Sequence, residues 1–191
     1  MQAIKKVTSP VVAILKDNID TGQLVPRTAL KATDHNVNYA DRLFYGTRYL
    51  ASGAPNPDFP LNDPAHQNAE ILVTGENFGC GSSWEHAAWA LKDYGFKVVI
   101  AKSFNSIFYM NALNNGLLPL TLSSAQCEQL ATLPADAQIT VDLAAKIVQV
   151  GHQQWPFEIE TLWQERLLKG IDDITFTESY QAEIERFESR K

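Results

Sequence analysis

A chain of 191 residues, 45% of them hydrophobic, has the length and composition of one globular domain and can bury a core without metal or disulfide staples. Its 22 acidic residues against 16 basic ones leave a formal charge of −6, dispersed along the chain, which excludes the basic face that a non-specific nucleic-acid or anionic-membrane binder needs. No apolar run approaches the ~20 residues of a membrane-spanning helix, and the two cysteines, Cys80 and Cys127, are too few for a disulfide framework or for the three or four thiolates of an iron–sulfur cluster.

The N-terminal residues carry no uninterrupted apolar signal core, so a cytoplasmic address is expected. Residues 10–15, Pro-Val-Val-Ala-Ile-Leu, predict a buried strand closed by the turn formers Lys16-Asp17-Asn18. The polar stretch from Ile19 to Arg48 reads as loops with one helix. Pro55, Pro57, Pro60 and Pro64 then fall within residues 52–68, a loop long enough to be a lid, a partner contact or a linker. Ile71-Leu72-Val73 predicts a strand, Gly75 to Gly81 a glycine-rich loop, and Ser83 to Tyr94 a helix stopped by Gly95 in a left-handed conformation. With a second strand at Lys97 to Ala101, residues 70–101 make a parallel βαβ unit.

Ser103 is expected to cap a helix that carries Phe104, Ile107 and Phe108 on one face and ends at Asn114-Asn115-Gly116, before a third strand over Leu117 to Leu122. A short helix follows Ser123, then an antiparallel hairpin over residues 138–150 and a further strand at Phe157-Glu158-Ile159. Two helices, near 160–169 and 178–188, close the chain. In the second, Tyr180, Ile184 and Phe187 recur at i, i+4 and i+7, a stripe expected to dock on the body.

Chemistry concentrates in Gly75-Glu76-Asn77-Phe78-Gly79-Cys80-Gly81-Ser82-Ser83-Trp84-Glu85-His86. The glycines let the backbone approach a ligand, and a loop opening directly onto a helix N-terminus offers unpaired N–H groups to an anion, so a small carboxylate or phosphate is the natural ligand. Ser82 with Glu85 fits a capping box, and the same serine, ringed by N–H donors that would stabilise its alkoxide, suits a proton carrier. No lysine follows the glycines and the spacing is not the dinucleotide fingerprint, which argues against nucleotide binding. Cys80 lies near that helix end without an identifiable histidine neighbour. His86 reads as structural, and His35, His66 and His152 are scattered without metal spacing.

An ordered set of segments carries a resemblance. Asn18-Ile19-Asp20-Thr21 with Pro26, Asn56-Pro57-Asp58-Phe59, the Gly75–Gly79 and Gly81-Ser82-Ser83 loop with Glu85-His86-Ala87, Asp93-Tyr94-Gly95-Phe96, Ser103-Phe104, Asn111, Gly116-Leu117-Leu118-Pro119 and Gly170-Ile171-Asp172-Asp173-Ile174 together resemble the small subunits of 3-isopropylmalate dehydratase, the swivelling domain of the aconitase superfamily. The resemblance implies a three-layer β/β/α swivelling domain over residues 1–191, with the proline-rich loop at 52–68 and a helical extension from about 160 to 191. It implies a large-subunit partner that carries a 4Fe–4S cluster, no cofactor on this chain, and a small dicarboxylate substrate, 2-isopropylmalate, isomerised to 3-isopropylmalate through dehydration and rehydration in leucine biosynthesis. Ser82, the first serine of Gly-Ser-Ser, would be the catalytic base, with Ser83, Gly81, Asn77, Thr21 and position 84 binding substrate.

Two positions depart from the family pattern. Trp84 stands where the family has an arginine that binds a substrate carboxylate, and Gly22 stands where it more often has aspartate. The helical spacing of Trp84 with Ala87, Ala88 and Leu91 also fits plain packing on an apolar stripe. Arg27, Arg42 and Arg48 are candidate replacements for the missing cation. Three readings therefore stand open at this level: a working small subunit, a non-catalytic subunit that keeps only the docking surface, and a hydro-lyase subunit for another branched dicarboxylate.

Overall fold

The computed structural model describes residues 1–28 and 38–189; His35 lies outside them. Pro10 has no N–H to give a ladder and divides the N-terminal run into β1 (Lys6–Ser9) and β2 (Val11–Ile14), which join different sheets. β2 heads a parallel sheet in which β3 (Ile71–Thr74), β4 (Val98–Ala101) and β5 (Leu118–Thr121) follow in order. β1 pairs antiparallel with β6 (Ile139–Asp142), which continues through β7 (Ile147–Val150) to β8 (Gln153–Pro156). β1 leaves little trace in the sequence because its burial alternates over only four residues.

The parallel strands are buried on both faces, and successive side chains point to opposite layers. Val11, Ile71, Val73, Val98, Ile100, Leu118 and Leu120 pack with Val7, Ile139, Val141, Val148 and Trp155 of the antiparallel sheet. Val12, Leu72 and Val99 pack instead with Ala87, Ala90, Leu91, Phe108 and Ala112 on the helical side. Each fully buried side chain of this kind contributes roughly 1.5–3 kcal/mol relative to exposure. Two cores on the two faces of one sheet are what produce the three-layer β/β/α arrangement.

The helical segments are α1 (Thr21–Leu24), α2 (Tyr45–Arg48), α3 (His86–Tyr94), α4 (Ser106–Asn114), α5 (Ser124–Ala131), α6 (Thr161–Lys169), α7 (Asp173–Glu178) and α8 (Gln181–Glu188). Residues 60–62 and 64–66 of the proline-rich loop form short 3-10 turns, each started by its proline. Gly95 ends α3 at φ 117°, as predicted. Ser103 does not cap α4: Asn105 does, accepting from the Ile107 N–H at 3.1 Å, so Phe104 lies outside the helix, and Ile107 is 48% exposed while Phe108 is buried. The last strand ends at Pro156, which lacks an N–H, so Phe157 and Ile159 pack in the core as irregular backbone rather than as a strand.

At the C-terminus α6 buries Trp163 and Leu167 in the first core, and α7 and α8 extend past it. Of the stripe expected to dock, Tyr180 and Phe187 stay 49% and 67% exposed and Ile184 is only partly buried, because α6 already closes that end of the core. Among the described residues no helix is long and apolar enough to cross a membrane.

Candidate active site

The glycine-rich loop begins where β3 ends and prolongs the parallel sheet beyond the carboxyl ends of its strands, the place where open α/β sheets bind ligands. Phe78 bridges Phe104, its N–H donating to the Ser103 carbonyl at 3.0 Å and its carbonyl accepting from Asn105 at 2.9 Å. On the other flank Gly79 donates to the Ile19 carbonyl at 2.8 Å, and the Cys80 carbonyl accepts from Thr21 at 2.9 Å. Gly79 has φ +75° and a Cβ there would run into the Phe108 ring, so no other residue fits. Gly81, at φ +94°, turns the chain out of this clamp and delivers Ser82 to the surface.

An open cleft of about 510 Å³ forms against that turn, lined by Asp20, Thr21, Gly22, Pro26, Arg27, Gly81, Ser82 and Trp84. Its far wall is α1, whose N-cap Asp20 accepts from the Gln23 N–H at 2.8 Å. Buried Thr21 turns its hydroxyl to the loop and accepts from the Ser82 N–H at 3.2 Å, tying the two walls together. The Ser82 hydroxyl itself makes no hydrogen bond among the described residues and is exposed to solvent.

Four of the six predicted site residues therefore meet: Thr21, Gly81, Ser82 and Trp84 share the cleft. Asn77 and Ser83 do not line it. Asn77 sits at φ +52° with its amide on Asn18 Oδ1 at 2.8 Å, and the Ser83 carbonyl accepts from Asn111 at 3.3 Å. Arg27, Asp20 and Pro26 are cleft residues that the loop pattern alone does not indicate. Only the N-terminal part of the resemblance points to that neighbourhood.

Two expectations about the turn are corrected. Ser82 and Glu85 form no capping box, because α3 starts at His86, with Glu85 as an N-cap whose side chain makes no capping bond, and the Glu85 carboxylate accepts instead from Asn115 at 2.7 Å. The helix thus begins four residues past Ser82 rather than at it, and its first-turn N–H groups do not ring the hydroxyl. For the same reason Trp84 lies off the helical stripe of Ala87, Ala88 and Leu91. It is half-buried beside the cleft, with the Arg27 guanidinium 5.9 Å from the centre of its ring. His86 is structural, its ring packed 4.6 Å from Trp89 and 5.5 Å from Tyr39.

An iron–sulfur cluster finds no ligand set here. Cys127 is buried on the inner side of α5, where desolvation pushes its thiol up to about 11, and Cys80 stands alone in the loop. Among the described residues no group of three or more His, Cys, Asp or Glu side chains is placed to hold a metal ion.

A family model described as the Aconitase C-terminal domain matches residues 1–125. The chain is 45% identical over 190 residues to the 3-isopropylmalate dehydratase small subunit of Listeria innocua, covering 100% of this chain and 98% of that protein. It is 48% identical over 189 residues to the protein of the same name from Oenococcus oeni, covering 98% and 96% of the two chains. Among solved structures, the crystal structure of 3-isopropylmalate dehydratase from Methanocaldococcus jannaschii superposes with a TM-score of 0.69 at 25% identity, over 95% of this chain and 98% of that one.

Proposed function

The chain belongs to the family of 3-isopropylmalate dehydratase small subunits, and from that premise we propose that Ser82 is the base of its dehydration chemistry, working in a site completed by the large subunit. The chain is the small-subunit component of a hydro-lyase that isomerises 2-isopropylmalate to 3-isopropylmalate. Full-length relatives at 43–48% identity that carry this name favour a working subunit over a non-catalytic one or one for another branched diacid.

In the first half-reaction a proton leaves the carbon next to the carbinol carbon, hydroxide leaves the carbinol carbon, and the electron pair of the broken C–H bond becomes the double bond of isopropylmaleate. Rehydration returns the proton and hydroxide with their positions exchanged. The Ser82 oxygen takes the proton as its alkoxide, becoming the hydroxyl, and returns it on rehydration. Thr21 holds it through the Ser82 N–H, and Gly81 supplies the backbone conformation that brings it to the cleft. The observation that carries this reading is an exposed hydroxyl, unengaged among the described residues, on a turn clamped from both sides at the carboxyl ends of parallel strands. The open cleft leaves one side for the large subunit, to which we also assign the 4Fe–4S cluster, since the thiols of this chain do not fit one.

Reconstitution with the large subunit tests the reading. The complex is expected to convert 2-isopropylmalate, and Ser82→Ala to lower kcat by about 10²–10⁴-fold without changing assembly. A complex that assembles without turnover, or a Ser82→Ala complex with undiminished kcat, overturns it.

A further inference from the structure

The two departures from the family pattern, Gly22 and Trp84, are far apart in sequence and line the same cleft, together with Arg27. A diacid in that cleft needs a cation for its carboxylate, and position 84 cannot supply one. Of the three candidate arginines, Arg48 is engaged elsewhere: it donates to the Ala40 carbonyl at 2.8 Å and to Asn62 Oδ1 at 3.1 Å, and lies 4.9 Å from the Tyr94 ring centre. Arg42 lies over Tyr45, 5.7 Å from its ring centre, and does not line the cleft. Arg27 does line it, is exposed, and takes part in no ion pair among the described residues.

We infer that Arg27, held over the Trp84 ring, is the guanidinium that receives a substrate carboxylate, so that a cation–aromatic pair from two separate segments replaces one arginine on the turn. Arginine suits this role because its planar fork stacks on an aromatic face and still presents its edge to a carboxylate. Gly22 belongs to the same device. A Cβ there would come within 3.2 Å of Asp20 Oδ1, and an acidic side chain would compete with the diacid for Arg27. The Asp20 carboxylate is itself occupied by the N–H of Gln23 at 2.8 Å and its side-chain amide at 3.2 Å. The inference rests on the cleft being the diacid site proposed above.

The test uses the reconstituted complex with 2-isopropylmalate. Arg27→Gln is expected to raise KM about 10- to 100-fold, the worth of a charge-assisted carboxylate contact, while kcat falls much less. Trp84→Ala should raise KM by less, and Trp84→Phe by least, because Phe keeps an aromatic platform. The double change Arg27→Gln with Trp84→Arg should bring KM back down, a rescue that a merely structural role for Arg27 would not give. Arg42→Gln should leave KM unchanged. Normal KM in Arg27→Gln overturns the inference while leaving the Ser82 reading intact. If the unmodified complex shows no turnover, that reading has failed, and calorimetric titration with 2-isopropylmalate decides the inference separately: binding lost in Arg27→Gln upholds it, whereas equal binding, or none to either complex, overturns it.

Discussion

The glycine-rich turn and the C-terminal helices are the two plainest patterns in this sequence, and they end in opposite situations. The turn is short and polar, yet it is gripped on both flanks, by residues 18–21 on one side and by residues 103–105 on the other. The helix α8 carries Ile184 and Phe187, with Tyr180 just before it, at docking spacing, yet Tyr180 and Phe187 stay 49% and 67% exposed. The contrast is one of directionality. A backbone N–H or carbonyl at a strand end must find a partner at fixed geometry, and the adjoining loops supply it. An apolar stripe has no such requirement and is covered only where the rest of the chain leaves uncovered surface.

The largest effect should come from tightening the turn where it is already full. Gly79→Ala forces a Cβ into the Phe108 ring at φ +75°, and is expected to cost about 2–5 kcal/mol, the sum of left-handed strain and overpacking. A urea midpoint within error of the unmodified protein would show that the clamp yields more easily than its hydrogen bonds imply.

A smaller effect should mark the joint between body and extension. Arg166 is buried, with its guanidinium 4.4 Å from the Trp163 ring centre and 5.7 Å from that of Phe176, and its Nη2 is 2.5 Å from Asp173 Oδ1 without hydrogen-bond alignment. Because the Asp173 side chain is 73% exposed, the ion pair adds little and the stacking dominates. Arg166→Ala is expected to cost about 1–2 kcal/mol and to speed amide exchange in α7 more than in β3 or β4; uniform exchange would mean that the joint does not separate the two regions.

The smallest effect should come from the exposed stripe itself. Phe187→Ser is expected to change the stability of the isolated chain by less than about 0.5 kcal/mol. A loss above about 1 kcal/mol in thermal melts would mean that the stripe is covered in solution, and would remove the contrast between the regions.

Much of the fold was legible because its signals are local. Continuous β-branched runs mark the parallel strands, Gly95 marks the end of α3, and the serine-capped segment after residue 123 marks α5, where Ser123 and Gln126 form the capping box that Ser82 and Glu85 do not. Two serines with nearly the same motif part ways because Asn115, thirty residues on, takes the Glu85 carboxylate. Ser103 departs from its expected capping role for a similar reason: its hydroxyl accepts from the Asn77 N–H at 2.8 Å, a contact the order of the chain does not reveal.

By itself the sequence determined most of the element types, the family, and the turn that carries Ser82, since each depends on residues adjacent in the chain or on an ordered set of motifs. Only the tertiary structure decided which arginine joins that turn, that Trp84 lies beside the cleft rather than on a helix, and that the last apolar stripe stays exposed. Those outcomes depend on which segments compete for the same acceptor or the same patch of surface, and that competition exists only once distant parts of the chain are packed together.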